Sequence, residues 1–134
     1  MASVAKLKKK YWTVFSRFIR LRDADKWGMC KCCTCGSRKV WKQMQAGHFI
    51  SRVHSAVLFN EKNVHAQCVG CNMFKQGNPQ NYWLFMEEKY GRKVIDELME
   101  MRAKIRRFKA TELEEWIQST SKEVERLLER LKIA

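Results

Sequence analysis

The sequence predicts an α+β domain, mostly helical, in which a small cysteine-stapled ββα core lies between N- and C-terminal α-helices. Three observations predict it. Apolar residues recur at three- and four-residue spacing at both ends of the chain. Two C-x-x-C pairs, Cys32/Cys35 and Cys68/Cys71, bracket the middle. Between those pairs the helical period gives way to short, loosely alternating stretches broken by polar turns. A length of 134 residues suits a single domain over 1–134. It divides into a basic helix over 1–26, the stapled core over 27–79 and a helical region over 80–134.

Leu7, Tyr11, Val14, Phe15 and Phe18 define one face of a first helix running to about Asp25. Trp27-Gly28-Met29 interrupts that pattern. Lys39 to Ala46 reads as one arm of a hairpin whose turn lies near Gly36-Ser37 or after His48, placing His48 on or just beyond a strand. Ile50 to Gln67 reads as a loop pinned by Cys68, with a polar turn at Asn60 to Asn63. A short helix follows over about Val69–Gln76, stopped by Gly77, Asn78 and Pro79. The helical period resumes at Tyr82, pauses at Gly91 and continues to Ile105. Thr111 and Glu114 have the spacing of a capping box that opens a last helix. The stripe of that helix (Leu113, Trp116, Ile117, Val124, Leu127, Leu128, Leu131) favours packing on its own domain over a dimerising coiled coil, which needs more clean heptads.

Lys and Arg number 27 against 14 Asp and Glu, a net charge of +13. Such self-repulsion adds nothing to folding and points to a polyanionic partner. No stretch approaches the ~20 apolar residues of a spanning helix, so nucleic acid outranks membrane. Lys8, Lys9, Lys10, Arg17, Arg20, Arg52, Lys75, Arg102, Arg106 and Arg107 are the candidate DNA contacts. The N-terminus lacks the apolar block of a secretory signal, which places the chain in the cytoplasm. In a reducing compartment, paired cysteines are better explained by metal than by disulfides.

Cys32, Cys35, Cys68 and Cys71 would supply four thiolates to one tetrahedral zinc ion. Cys30 and Cys33 offer the same spacing. Gly36 favours the Cys32/Cys35 register, because a glycine after the second ligand lets backbone amides turn toward the sulfur. The insert between the pairs carries His48. Hydrolysing a phosphodiester requires a base for water and a divalent ion that holds the phosphate and neutralises the leaving oxygen. His48 is the candidate base. Asn72, opening the helix after the second pair, is the candidate oxygen ligand, with helix amides and Lys75 nearby for phosphate. Gly47 would let a DNA backbone come close.

This constellation resembles the HNH (ββα-metal, His-Me finger) nucleases, with His48, Asn63 and Asn72 at the pattern positions. Longer segments, Phe18 to Asp23, Cys32 to Gly36, Ala46 to Phe49, Phe59 to Cys68 and Cys71 to Asn78, resemble the lambdoid-phage NinG family, also called Rap. The resemblance implies a zinc-stapled ββα-metal core and a recombination endonuclease that cuts branched DNA, Holliday junctions and D-loops included, with Mg or Mn. It further implies that His48 is the general base, Asn72 a ligand of the catalytic ion and Asn63 the loop residue that orients the histidine.

Two positions depart from the pattern. Gly47 stands where many HNH enzymes carry an Asp or His ligand, leaving His65, Gln45 and Glu61 as candidates for a second ligand. Leu58 stands near a place where relatives tend to have Arg, so Arg52 or Lys75 would supply a transition-state cation. His54 reads as surface or DNA-facing. Two symmetric cuts would require a homodimer, and phage recombination proteins are natural partners. The competing readings are a non-catalytic, zinc-stapled DNA-binding module and an HNH nuclease acting on linear duplex.

Overall fold

The computed structural model describes residues 2–133, and their side chains through Leu131. Helix α1 (Val4–Arg22) begins at Ser3, whose side-chain oxygen accepts from the Lys6 amide at 3.2 Å. Leu7, Tyr11, Phe15 and Ile19 are buried at four-residue spacing, the face the periodicity predicts. They pack with Leu113 of α4 (Ala110–Ile133), the last helix, and with Ala46 and Val64 of the strands. Tyr11 ties the helices together, its ring 5.7 Å from that of Trp116 and its hydroxyl 3.4 Å from Thr120 Oγ1. Truncating the 2 %-exposed Phe15 to Ala would cost about 3–5 kcal/mol, because the cavity adds to the lost transfer energy.

The last helix thus packs along the first within one chain, but its start differs from the capping-box expectation. Thr111 is already helical, and the Leu113 amide donates to the Lys109 carbonyl at 3.1 Å. Burying Leu113 completely sets that phase, and Arg106 pairs with Glu112 in the first turn instead.

Two antiparallel hairpins form the β structure. Strand β1 (Met29–Lys31) pairs with β2 (Arg38–Val40), and the first cysteine pair is their turn. There Gly36 has φ +80°, and its amide donates to the Cys32 carbonyl at 2.9 Å. Strand β3 (Gln45–His48) pairs with β4 (Val64–Gln67), setting Gly47 opposite His65 and His48 opposite Val64. The single arm over Lys39–Ala46 is therefore two strands. A 3-10 turn over Trp41–Gln43 separates them by driving Trp41 into the core. Likewise, the segment read as a loop to Gln67 ends in a strand. All four residues of β4 are buried, so they show no alternation to read.

The end of α1 closes the outer edge of β4. Arg22 donates to the Val64 carbonyl at 2.8 Å and the Glu61 carbonyl at 2.7 Å, while Asp23 accepts from the Ala66 amide at 2.8 Å. Arg22 and Asp23 also pair with each other at 2.8 Å. At the second cysteine pair the expected helix is a single five-residue π turn, Gly70–Phe74, which contains Cys71. Gly77 (φ +89°) and Asn78 (φ 48°) then redirect the chain into α2 (Pro79–Tyr90) with Pro79 in its first turn. Gly91 at φ +86° separates α2 from α3 (Arg92–Arg102), which stops short of the exposed Ile105. Tyr82, Met86, Ile95 and Leu98 bury a further core against Ile50 and Val57.

Candidate metal cluster and adjoining cleft

The sulfurs of Cys32, Cys35, Cys68 and Cys71 lie within 4.8 Å of one another, with Cys35 and Cys68 at 3.7 Å. A tetrahedral zinc at ~2.3 Å from each sulfur separates its ligands by about 3.8 Å, so the four could hold such an ion. Local donors reach the sulfurs, while burial pushes the Cys68 thiol up to about 11. The Cys71 amide lies 3.4 Å from Cys68 Sγ, and Asn78 Nδ2 lies 3.6 Å from Cys71 Sγ. Burial pushes the Cys32 thiol up, yet the Cys68, Cys35 and Thr34 amides and the Thr34 hydroxyl outweigh it and bring it to about 6. Cys30 and Cys33 fall outside the cluster. The Cys30 thiol donates to the Arg20 carbonyl at 3.1 Å, and burial pushes it up to about 12.

A cleft of about 670 Å³ opens beside the cluster between α1, β3 and the Asn72–Gly77 turn. His48, Gln45 and Asn72 share it with Trp12, Arg20 and Arg52. The His48 ring stacks on Trp12 with centroids 5.0 Å apart, and the Arg52 guanidinium lies 4.9 Å from the same indole. His48 Nε2 is 3.0 Å from the Leu58 carbonyl. Since a carbonyl only accepts, Nε2 carries the hydrogen and Nδ1 keeps its lone pair. Burial, helped by the Arg52 charge, lowers the His48 pKa to about 4 against the pull of that carbonyl. The ring is therefore neutral at pH 7, the form a base requires.

Asn63 acts at one remove. It is fully buried, and its side chain bonds backbone: Oδ1 accepts from the Ile50 amide at 2.8 Å, and Nδ2 donates to the Ile50 and Val57 carbonyls at 3.0 and 3.1 Å. It closes the loop from which Leu58 reaches His48. Its side-chain hydrogen bonds go to Ile50 and Val57 backbone and not to the imidazole.

His65 is removed from the set of ligand candidates by its surroundings. Its Nδ1 lies 3.1 Å from the Tyr82 hydroxyl and its Nε2 2.7 Å from that of Tyr90. Tyr82 already donates to the Gly47 carbonyl at 2.7 Å, so it accepts from Nδ1–H, and Nε2 accepts from Tyr90. Burial, with Arg22 nearby, lowers its pKa to about 3. The ring pins β4 to α2 and faces a separate hollow of about 800 Å³ that reaches neither His48 nor Asn72. Glu61 lies outside the cleft as well.

Asn72 sits mid-turn, and its amide donates to the Cys68 carbonyl at 2.9 Å. The expectation of free amides at a helix start is corrected accordingly. Its Nδ2 donates to Gln45 Oε1 at 2.7 Å, which occupies that oxygen. The space beside Gly47 is also not open to a DNA backbone. Gln67 Oε1 lies where a side chain at 47 would begin, with Asn72 Oδ1 3.1 Å from the same point. Trp12 and Gln67 were not legible as site residues, the first hidden in an amphipathic helix and the second in a buried strand.

The basic residues divide. Lys9, Lys10, Arg17, Arg52, Lys75, Arg102 and Arg107 are exposed. Lys8 leans over Phe108 at 5.5 Å, and Arg20 over Trp41 at 5.3 Å while bonding the Ser16 carbonyl at 3.1 Å. Arg106 is exposed as well but is engaged by Glu112 and by the faces of Phe108 and Trp116. His54 is half-buried at the start of a 3-10 turn outside the cleft. Among the described residues no helix is long and apolar enough to cross a membrane.

The family model of the bacteriophage lambda NinG protein matches residues 2–130. The protein ninG of Escherichia phage lambda is 34% identical over 96 residues, covering 67% of this chain and 45% of that protein. Those of Salmonella phage P22 and Escherichia phage 933W are 34% and 33% identical with the same coverage. The chain therefore spans a little under half the length of these relatives. No solved structure matches the chain significantly. A match over nearly its whole length, taking in both cysteine pairs and the cleft between them, establishes that the chain belongs to the NinG family.

Proposed function

We propose that this NinG-family chain is a metal-dependent endonuclease of the HNH, or His-Me finger, type that hydrolyses phosphodiesters in branched DNA such as Holliday junctions and D-loops. The observation that carries the reading is His48. It is a neutral imidazole with a free Nδ1 lone pair, in a cleft shared with the Asn72 carboxamide and rimmed by Arg20 and Arg52. Zinc on the four cysteines is structural and holds the turn that bears Asn72.

His48 Nδ1 takes the proton of the attacking water, while Nε2–H on the Leu58 carbonyl and the stack on Trp12 hold the ring in place. As the proton arrives, the charge on the ring is stabilised by that same carbonyl. Asn63 keeps the loop behind it closed. Arg52 shares the Trp12 indole with the base and supplies charge to the scissile phosphate. Asn72 would hold a Mg or Mn ion, whose chemistry is to bind the phosphate and neutralise the leaving oxygen. A net charge of +13 supports a phosphate-tracking mode of binding, in which shape and flexibility rather than base edges select the substrate. Paired cuts imply a homodimer, working with phage recombination proteins in the host cytoplasm.

The test is cleavage of a labelled four-way junction by zinc-loaded protein with Mg or Mn, beside a linear duplex of the same sequence. Junction-selective, metal-dependent nicks that vanish in His48→Ala, with binding retained, are the expected result. Equal cutting of both substrates selects a linear-duplex nuclease. Binding without any metal-dependent product selects the non-catalytic DNA-binding module, a reading favoured by the neutral side chains around Asn72.

A further inference from the structure

Gln67 is the one described residue with a buried side-chain polar atom that has no hydrogen-bond partner. It is fully buried, and its Nε2 donates to the Gly77 carbonyl at 2.8 Å and to Thr34 Oγ1 at 3.1 Å. The Gly77 carbonyl can only accept, so the carboxamide cannot be turned over without setting two acceptors against each other. Oε1 is thereby held pointing under Gly47. Asn72 is oriented the same way by its own bond: Nδ2 donates to Gln45 Oε1, which leaves Oδ1 beside Gly47. Two amide oxygens thus converge on one point, within 3.1 Å of where a Cβ at residue 47 would stand. The φ of Gly47 is not positive, so this glycine is required for space and not for backbone conformation.

A buried acceptor left without a donor costs about 1–3 kcal/mol unless something satisfies it. Neutral amide oxygens are hard donors suited to Mg or Mn, and such ions need only one or two protein ligands, keeping water on the remaining positions. We propose that Gln67 Oε1 and Asn72 Oδ1 together are the protein ligands of a divalent cation, and that Gly47 is the opening that admits the Gln67 oxygen. Gln67 thus supplies, from the neighbouring strand β4, the ligand that residue 47 lacks. The proposal rests on reading the cleft as the divalent-ion site of a nuclease. It names a ligand that neither the motif positions nor spacing along the chain would select.

Manganese binding to zinc-loaded, DNA-free protein, followed by the loss of the free-ion paramagnetic resonance signal, tests it without reference to turnover. Gln67→Leu should weaken binding about tenfold or more, the scale of losing a metal-site group. Gly47→Ala should do the same, because its methyl displaces Oε1 while leaving the Gln67 donors available. The double variant Gly47→Asp with Gln67→Ala puts a carboxylate into the vacated space and should bind manganese at least as tightly as the parent. Zinc content and melting temperature report folding for each variant. Unchanged manganese affinity in both folded single variants, or no recovery in the double variant, would overturn the assignment. Manganese binding that depends on Gln67 in a protein that never cuts a junction would leave the ligand pair intact and remove the nuclease. Junction cutting that is indifferent to Gln67 would do the reverse.

Discussion

The cysteine cluster and the cleft meet at the turn that carries Cys71 and Asn72, yet they are built on opposite principles. The cluster draws four like side chains from two short segments, and as zinc ligands they would be thiolates. The cleft draws unlike groups, an indole, an imidazole, carboxamides and two guanidiniums, from α1, β3, the loop after it and the π turn, with Gln67 of β4 behind Gly47. Residues of the two alternate along the chain: Gln67 precedes Cys68, and Asn72 follows Cys71. The Asn72 amide bonds the Cys68 carbonyl, and the Gly77 amide bonds the Cys71 carbonyl at 2.9 Å. Dependence should therefore run one way, with the cleft failing when the cluster is emptied and the cluster surviving damage to the cleft.

Emptying the cluster is the largest perturbation. Structural zinc contributes on the order of 10 kcal/mol or more to small domains of this kind. A strong chelator, or Cys68→Ser, is expected to abolish manganese binding and any DNA cleavage together. The α1–α4 core around Leu7, Tyr11, Phe15 and Leu113 contains no cysteine, whereas Leu21 of α1 and Val124 and Leu127 of α4 pack against the cluster itself, so far-UV circular dichroism should lose the signal of the helix ends next to the cluster and keep the rest. Joint loss of the helices would show one cooperative unit and break the comparison.

The reverse perturbation is His48→Ala. Loss of a positioned base costs roughly 10²- to 10⁴-fold in rate. Zinc stoichiometry, measured by inductively coupled plasma spectrometry, is expected to stay at one per chain. Zinc loss in that variant would mean that the cleft supports the cluster, against the order of bonds described above.

Acid separates the two regions by their titrations. His48 and His65 have pKa values lowered to about 4 and about 3, whereas unfolded imidazoles titrate near 6.5. Between pH 6.5 and about 4 the unfolded chain binds more protons, so stability is complete above 6.5 and declines as pH falls through that window. Each ring contributes on the order of 2–3 kcal/mol by the end of it. Replacing His65 with Gln should flatten the melting-temperature profile between pH 6 and 4 while leaving zinc release, set by thiolate protonation, at its original pH. Coincident shifts in both would tie the imidazole to the cluster.

What was legible in the chain follows from the same contrast. The cluster could be read because both ligands of each pair lie within one turn, and Gly36 chose the register for a backbone reason. The faces of α1 and α4 could be read because burial follows the helical period. Strand β4 could not, since burial on both faces erases alternation, and with it went Gln67. Two more local signals held only in part: the capping box at Thr111 gave way to the burial of Leu113, and the helix over Val69–Gln76 is present as a shorter π turn set by the cysteine pair. His48 and Asn72, singled out by their motif positions, line one cleft, but Gly47 was read as open space because its occupant arrives from the neighbouring strand.

The smallest expected effect tests the surface that joins the two regions. Formal charge treats Arg52 and Arg106 alike, but their surroundings do not. Arg52 is exposed at the rim of the cleft with only the Trp12 face beneath it, and remains available to a phosphate. Arg106 is exposed too, but it is paired with Glu112 and lies over two aromatic rings, so lending it to DNA would mean breaking that pair. Each phosphate contact steepens the log–log dependence of binding on salt by about 0.9. Titrating fluorescent junction DNA at several salt concentrations, Arg52→Ala should lower that slope by about one. Arg106→Ala should leave the slope unchanged and lower the melting temperature instead, by an amount matching about 0.5–2 kcal/mol for a lost ion pair with its ring contacts. An equal loss of slope in both would mean that the α3–α4 connection also grips the backbone and that the cleft is not the sole track for DNA.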